Sequence, residues 1–169
     1  MLIHLNNRAL LKFSGSENEA FLQAQLSNDI SKLDEESVQI NAYCQHQGKI
    51  LALFWVIRAG DDFLLSFPLD LLDSIKARLQ MFVLMSDVTI TDVTEQYVQI
   101  GVIDESLKNS YVINEHLSLI LTNSKELSKF KFSSQDYWDK ACIDSFLPEI
   151  SIASTETYIP QMLNLDINE

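Results

Sequence analysis

With 169 residues, the chain is long enough for one folded domain or for two small subdomains sharing a core. Its composition is 47% hydrophobic and 21% charged with 4 glycines and 3 prolines, which excludes a collagenous or disordered polymer. A net charge of −12 argues against general or direct nucleic-acid binding, because phosphate contacts need clustered lysine and arginine.

No apolar run approaches the roughly 20 residues of a spanning helix, so no membrane segment is expected. Met1–Arg8 has neither the charged region nor the extended apolar core of a secretory signal. Cys44 and Cys142 are far apart and form no CxxC pair; they read as free thiols in a reducing cytoplasm. All basic residues precede Ala141, and positions 141–169 hold five acids and no base. This reads as a solubilising surface, or else as a face that meets another domain or partner.

In chain order, Ala9–Phe13 reads as a short strand and Ser14–Ser16 as a turn. Ser16 is expected to cap a helix over Glu17–Leu26, with Glu19 completing a capping box. Ser37–Cys44 alternates, placing Val38, Ile40, Ala42 and Cys44 on one side of a strand. After the Gln45–Gly48 turn, Lys49–Ile57 is nearly all apolar, as a central strand buried on both faces would be. Ala59–Asp62 turns again into a strand at Phe63–Phe67. Pro68 suits a first helical turn, and Leu72, Ile75, Leu79 and Phe82 form one apolar stripe opposite Asp73, Lys76 and Arg78. Val88–Thr91 is a strand, which completes a βαβββαβ unit over residues 1–95. Residues 96–169 repeat the pattern more weakly. Strands fall at Val98–Ile103 and Leu117–Leu121, a short helix near Lys125–Lys129, and a helix over Ser134–Ser145 capped by Ser133 with Asp136. No linker separates the halves, so the fold class is α+β, with antiparallel sheets, helices on one face and two intertwined subdomains.

Few constellations carry chemistry. The glycines are isolated, so no phosphate-cradling loop exists, and His4, His46 and His116 lack metal-ligand spacing and read as surface residues. Cys44 alternates inward and reads as an inert buried thiol, while Asp61-Asp62 beside Gly60 reads as a hairpin turn. Trp138 and Asp144 lie near one helix and its exit. An indole face and a carboxylate lining one cleft would suit a flat heterocycle with an amidine-like edge; the alternative is a core tryptophan and a helix-terminal surface acid.

Three motifs run in order along the chain. They are Phe-Leu-Gln-Ala-Gln-Leu-Ser-Asn-Asp-Ile at residues 21–30, Ala-Tyr-Cys-Gln-His-Gln-Gly-Lys at 42–49, and Trp138–Pro148 followed by Tyr158–Leu165. Together they resemble the YgfZ-type folate-binding, tRNA-modifying proteins of the glycine-cleavage T-protein (aminomethyltransferase) superfamily. The resemblance implies a T-protein-like folate-binding fold. It also implies a cytoplasmic protein that binds tetrahydrofolate and no metal, and that helps to assemble or repair iron–sulfur enzymes, indirectly supporting tRNA modification.

Residue by residue, Trp138 matches the family's ring-stacking tryptophan. Asp144 stands where the family has glutamate, and Phe146 replaces a glycine in that turn. Arg8 stands where some members place a second folate-contacting tryptophan; its guanidinium would stack on a ring or pair with a glutamate tail. Ala52 and Leu53 occupy the place of the paired aspartates of true aminomethyltransferases, so no catalytic residue is assigned and binding rather than turnover is expected. An aminomethyltransferase-like enzyme and a non-catalytic interaction module remain the alternatives. The closing segment, Tyr158–Glu169, reads as the approach to the family's Lys-Gly-Cys-Tyr-x-Gly-Gln-Glu signature and barrel, neither of which this sequence contains. Residues 155–169 are therefore a candidate edge for pairing with another chain.

Overall fold

In the computed structural model, residues 1–105 and 107–165 are described. Among the described residues, nine strands form two antiparallel sheets. They are β1 (Leu2–His4), β2 (Arg8–Ser14), β3 (Val38–Cys44), β4 (Ile50–Ala59), β5 (Asp62–Pro68), β6 (Thr89–Asp92), β7 (Tyr97–Ile103), β8 (Tyr111–Val112) and β9 (Leu117–Asn123). The five-stranded sheet has the order β3-β4-β5-β2-β6, and the four-stranded sheet β1-β7-β9-β8. The α+β architecture expected from the pattern is the one observed. The two sheets are interlocked by the chain start: β1 pairs with β7, Ile3 opposite Gly101, before the chain enters the other sheet at Arg8.

The five-stranded sheet is covered on both faces. On one side α1 (Asn18–Gln25) and α2 (Leu72–Phe82) bring Phe21, Leu22, Ile75 and Leu79 onto Leu11, Phe13, Phe54 and Leu65. On the other, Leu10, Trp55, Ile57 and Leu64 meet Ile3, Leu5, Leu117 and Leu119. Trp138 joins this second cluster from α3 (Gln135–Asp144). Burial on both faces is why β4 reads as an unbroken apolar run.

Local differences have local causes. The Ser16–Glu19 capping box does not form. Instead Ser16 donates from its amide and hydroxyl to Asp87 (3.0 and 2.7 Å), while Glu19 pairs with Arg58 at 2.9 Å. Gly15, at φ +113°, allows this close fastening, since a Cβ there would lie 2.1 Å from the Asp87 carbonyl oxygen. Helix α3 is capped by Ser134, not Ser133. Pro68 ends β5 and leads through a 3₁₀ turn at Leu69–Leu71 before α2 begins, and Phe82 is half exposed, so the apolar stripe ends at Leu79. Strand β3 buries Asn41 and Tyr43 but only partly Ile40 and Cys44, because both its faces are covered.

The closing segment does not stand free as an edge in its described part. Glu156 donates to the Ile50 carbonyl, Ile50 donates to that of Tyr158 (2.8 Å each), and Pro160–Leu163 forms a 3₁₀ turn. Of residues 155–169, expected to pair with another chain, 166–169 fall outside the described residues.

The Ser16 hydrogen bonds, hydroxyl first, hold the Asp87 carboxyl below its ordinary value of 3.8. Its stabilising contribution is therefore complete above that value and disappears as pH falls through the lower folded-state value. Asp87→Asn is expected to lower the urea midpoint at pH 7 and to converge with wild type on acidification. A difference unchanged between pH 7 and 2 would refute this role.

Candidate functional site

Strand register sets up the first part of the site. Leu10 and Trp55 both lie opposite Ser66, from β2 and β4 on either side of β5, and Arg8 follows the same face of β2 two residues earlier. Arg8 is consequently buried, its guanidinium carbon 3.7 Å from the centre of the Trp55 ring. Nε donates to Ser66 Oγ (2.8 Å), Nη2 to the Ser66 carbonyl (3.1 Å) and Nη1 to Glu149 Oε1 (2.8 Å). Ser66 Oγ donates on to Gln99 Oε1 of β7 (2.5 Å), and Gln99 Nε2 donates back to the carbonyls of Arg8 and Ala9 (3.1 and 3.2 Å). The network therefore ties both sheets to the segment after α3. Burial lowers the guanidinium to about 10 against the raising effect of Glu149, so Arg8 remains a cation at neutral pH. Its carboxylate partner is unequally placed: the Glu149 side chain is 49% exposed against 4% for Arg8. Glu149 also lines a cleft of about 660 Å³ with Asn7, Pro68, Leu69, Asp70 and Ser151.

Trp138 adjoins this network. Only 3% exposed, it lies edge-on to Trp55 with centroids 5.9 Å apart. It packs against Gly101, where any Cβ would come within 2.4 Å of the indole. Cys142, one turn further along α3, is half-buried; desolvation, opposed by Arg8, pushes its thiol up to about 12, which makes it a poor nucleophile. Burial likewise raises Cys44.

Asp144 lies apart from that network. It is exposed, bonded at 2.6 Å to Lys140 one turn earlier on α3, and lines a different cleft of about 460 Å³ with Tyr137, Lys140, Asp104 and His116. His116 Nδ1 lies 2.9 Å from Asp104 there. Of the three residues singled out by sequence, Arg8 and Trp138 are thus brought together through Trp55, whereas Asp144 is not. The rings that line its cleft are those of Tyr137 and His116. Arg8 does stack on a ring and does pair with a carboxylate, but both belong to the chain itself.

Sequence reasoning missed Trp55, Ser66, Gln99 and Glu149. The available signal was a single polar residue inside an apolar strand, at Ser66 and again at Gln99. Among the described residues, no group of three or more His, Cys, Asp or Glu is placed to hold a metal ion. No described helix is long and apolar enough to cross a membrane.

No family model matches the chain. Curated relatives do. An uncharacterized protein of Haemophilus influenzae is 30% identical over 99% of the chain and 61% of its own length. Proteins named tRNA-modifying protein YgfZ from Colwellia psychrerythraea and an Enterobacter species are 23% and 24% identical over 97% of the chain and 60% of theirs. The chain thus spans about 60% of the length of the curated relatives it matches. Among solved structures, the glycine cleavage system aminomethyltransferase T from Bartonella henselae aligns with a TM-score of 0.62 at 13% identity, over 90% of this chain and 48% of that one. Along nearly its whole length this chain is thus similar in sequence to proteins named tRNA-modifying protein YgfZ, and its fold is similar to that of the Bartonella henselae aminomethyltransferase T.

Proposed function

We propose that the chain binds a reduced folate, tetrahydrofolate, without metal. We further propose that it works in the cytoplasm as an accessory to the assembly or repair of iron–sulfur enzymes, and through them supports tRNA modification. The observation that carries the binding half is the unequal Arg8–Glu149 pair: a buried, stacked cation whose carboxylate partner is half exposed at the mouth of a cleft. A ligand carboxylate such as a folate glutamate tail fits that cation by displacing Glu149, which water can then solvate. Asp144, exposed in the other cleft, is suited to accept the two hydrogen bonds of a pterin's amidine-like edge once Lys140 releases it. Trp138 offers no free face; its role in this reading is to brace Trp55 beneath Arg8.

Ala52 and Leu53 are both buried in β4 and bring no ionisable group, which supports binding rather than aminomethyl transfer. The net charge of −12 favours an indirect route to tRNA, through protein clients. The two-unit organisation, residues 1–95 and 96–169, belongs to the same proposal.

Titration with tetrahydrofolate, followed by tryptophan fluorescence and melting temperature, tests the reading. Quenching and a raised melting temperature are expected for the wild type and a larger thermal shift for Glu149→Gln, where the competing carboxylate is gone. Arg8→Met should show no shift. Absence of both signals in wild type at millimolar folate would end the proposal.

A further inference from the structure

Arg8 meets the cleft beside Glu149 with only one end of its guanidinium. Nε and Nη2 are turned inward to the Ser66 hydroxyl and carbonyl (2.8 and 3.1 Å), and Nη1 meets the Glu149 carboxylate (2.8 Å). A ligand acid that takes the place of Glu149 is therefore held at that Nη1 end, where there is one cation for it and no second.

The rest of the cleft has the opposite sign. Among the described residues that line it, the charged ones are Asp70 and Glu149, both acids. Asp70 is exposed in the 3₁₀ turn after Pro68 and is fixed in direction, since its Oδ2 accepts from the Ile152 amide at 3.0 Å. Glu149, once displaced, remains tethered at the same mouth as a second negative charge.

We propose that this cleft accepts one carboxylate and selects against ligands that carry further acid groups beyond it, with Asp70 as the residue that sets the limit. This rests on the folate reading and deepens it: the ligand class is a tetrahydrofolate with a single glutamate rather than a γ-linked polyglutamate tail. Each added glutamate brings one further net negative charge, because the new peptide link consumes one carboxylate and the new residue carries two. Those charges extend past Arg8 along a rim whose only charged groups are acids. Like charges about 8 Å apart in water repel by about a factor of two in affinity, and salt removes the effect.

Calorimetric titration of tetrahydrofolate monoglutamate and triglutamate into wild type and Asp70→Asn tests this, at low salt and at about 1 M salt, where the Debye length falls to about 3 Å. Asparagine keeps an oxygen for the Ile152 amide, and the melting temperature of each free protein serves as control. At low salt, wild type is expected to bind triglutamate about fourfold less tightly than monoglutamate. The ratio should shrink to about two or less in Asp70→Asn, and toward one at high salt. Triglutamate binding as tight as monoglutamate, or tighter, would overturn the inference and leave the folate reading standing. A ratio that neither Asp70→Asn nor salt reduces would do the same. No binding of the monoglutamate by wild type would overturn both.

Discussion

Removing Glu149, a half-exposed surface acid, is expected to cost about 3 kcal/mol, far more than its exposure suggests. An exposed ion pair contributes only about 0–1 kcal/mol. This pair differs because its other member cannot reach water. Arg8 is buried against Trp55 and Ser66, and without Glu149 its charge lies uncompensated in the interior. Burial already outweighs the carboxylate's support, as the lowering of the guanidinium to about 10 indicates. For a chain of this size Glu149→Ala should lower the melting temperature by roughly 6–12 °C. The companion measurement is Arg8→Met together with Glu149→Ala. Deleting the cation removes the orphaned charge, leaving mainly the Ser66 carbonyl without its donor. The double variant should therefore be destabilised by clearly less than the sum of the two singles. Strict additivity, or a Glu149→Ala cost below about 1 kcal/mol, the range of an ordinary exposed pair, would show that Arg8 is not dependent on this partner.

The second large effect belongs to Gly101. Valine favours a strand, so propensity alone predicts a gain from Gly101→Val in β7. Tertiary packing predicts the opposite sign. A Cβ would come within 2.4 Å of Trp138 Cε3, 2.5 Å of Cζ3 and 2.9 Å of Cδ2, and the indole is itself buried and in edge-on contact with Trp55. The expected cost is about 3 kcal/mol from overpacking, with a red-shifted tryptophan emission as Trp138 is pushed toward solvent. Because Trp55 carries the Arg8 guanidinium, the same variant should weaken tetrahydrofolate binding. Unchanged stability and emission would mean that Trp138 has room that the contacts deny.

How much of this was legible depends on the range of the interaction. The strands of the meander and the three α-helices follow from apolar periodicity and turn residues, and the structure places them within a few residues of where the pattern does. The strands missed, β1 and β8, have three and two residues, too short for a periodic signal, and they pair onto edges that β7 and β9 offer. The Ser16–Glu19 capping box failed for a related reason: Asp87, 71 residues away from Ser16, competes successfully for the same hydroxyl.

The candidate site divides along the same line. Arg8, Trp138 and Asp144 were singled out by residue type and by the resemblance of their surrounding motifs, and nothing local revealed which of them meet. The sequence by itself determined the α+β class, the doubly buried central strand, the acidic balance and the similarity to proteins named YgfZ. All of these are properties of composition, period and motif order. Only the tertiary structure decided that Arg8 is a buried hub shared by Trp55, Ser66, Gln99 and Glu149, that Trp138 is braced inside the core, and that Asp144 faces a separate cleft. Those outcomes depend on strand register and sheet stacking, which bring residues from β2, β4, β5, β7 and α3 into contact across most of the chain. Local chemistry sets which groups are available; long-range register sets which of them meet.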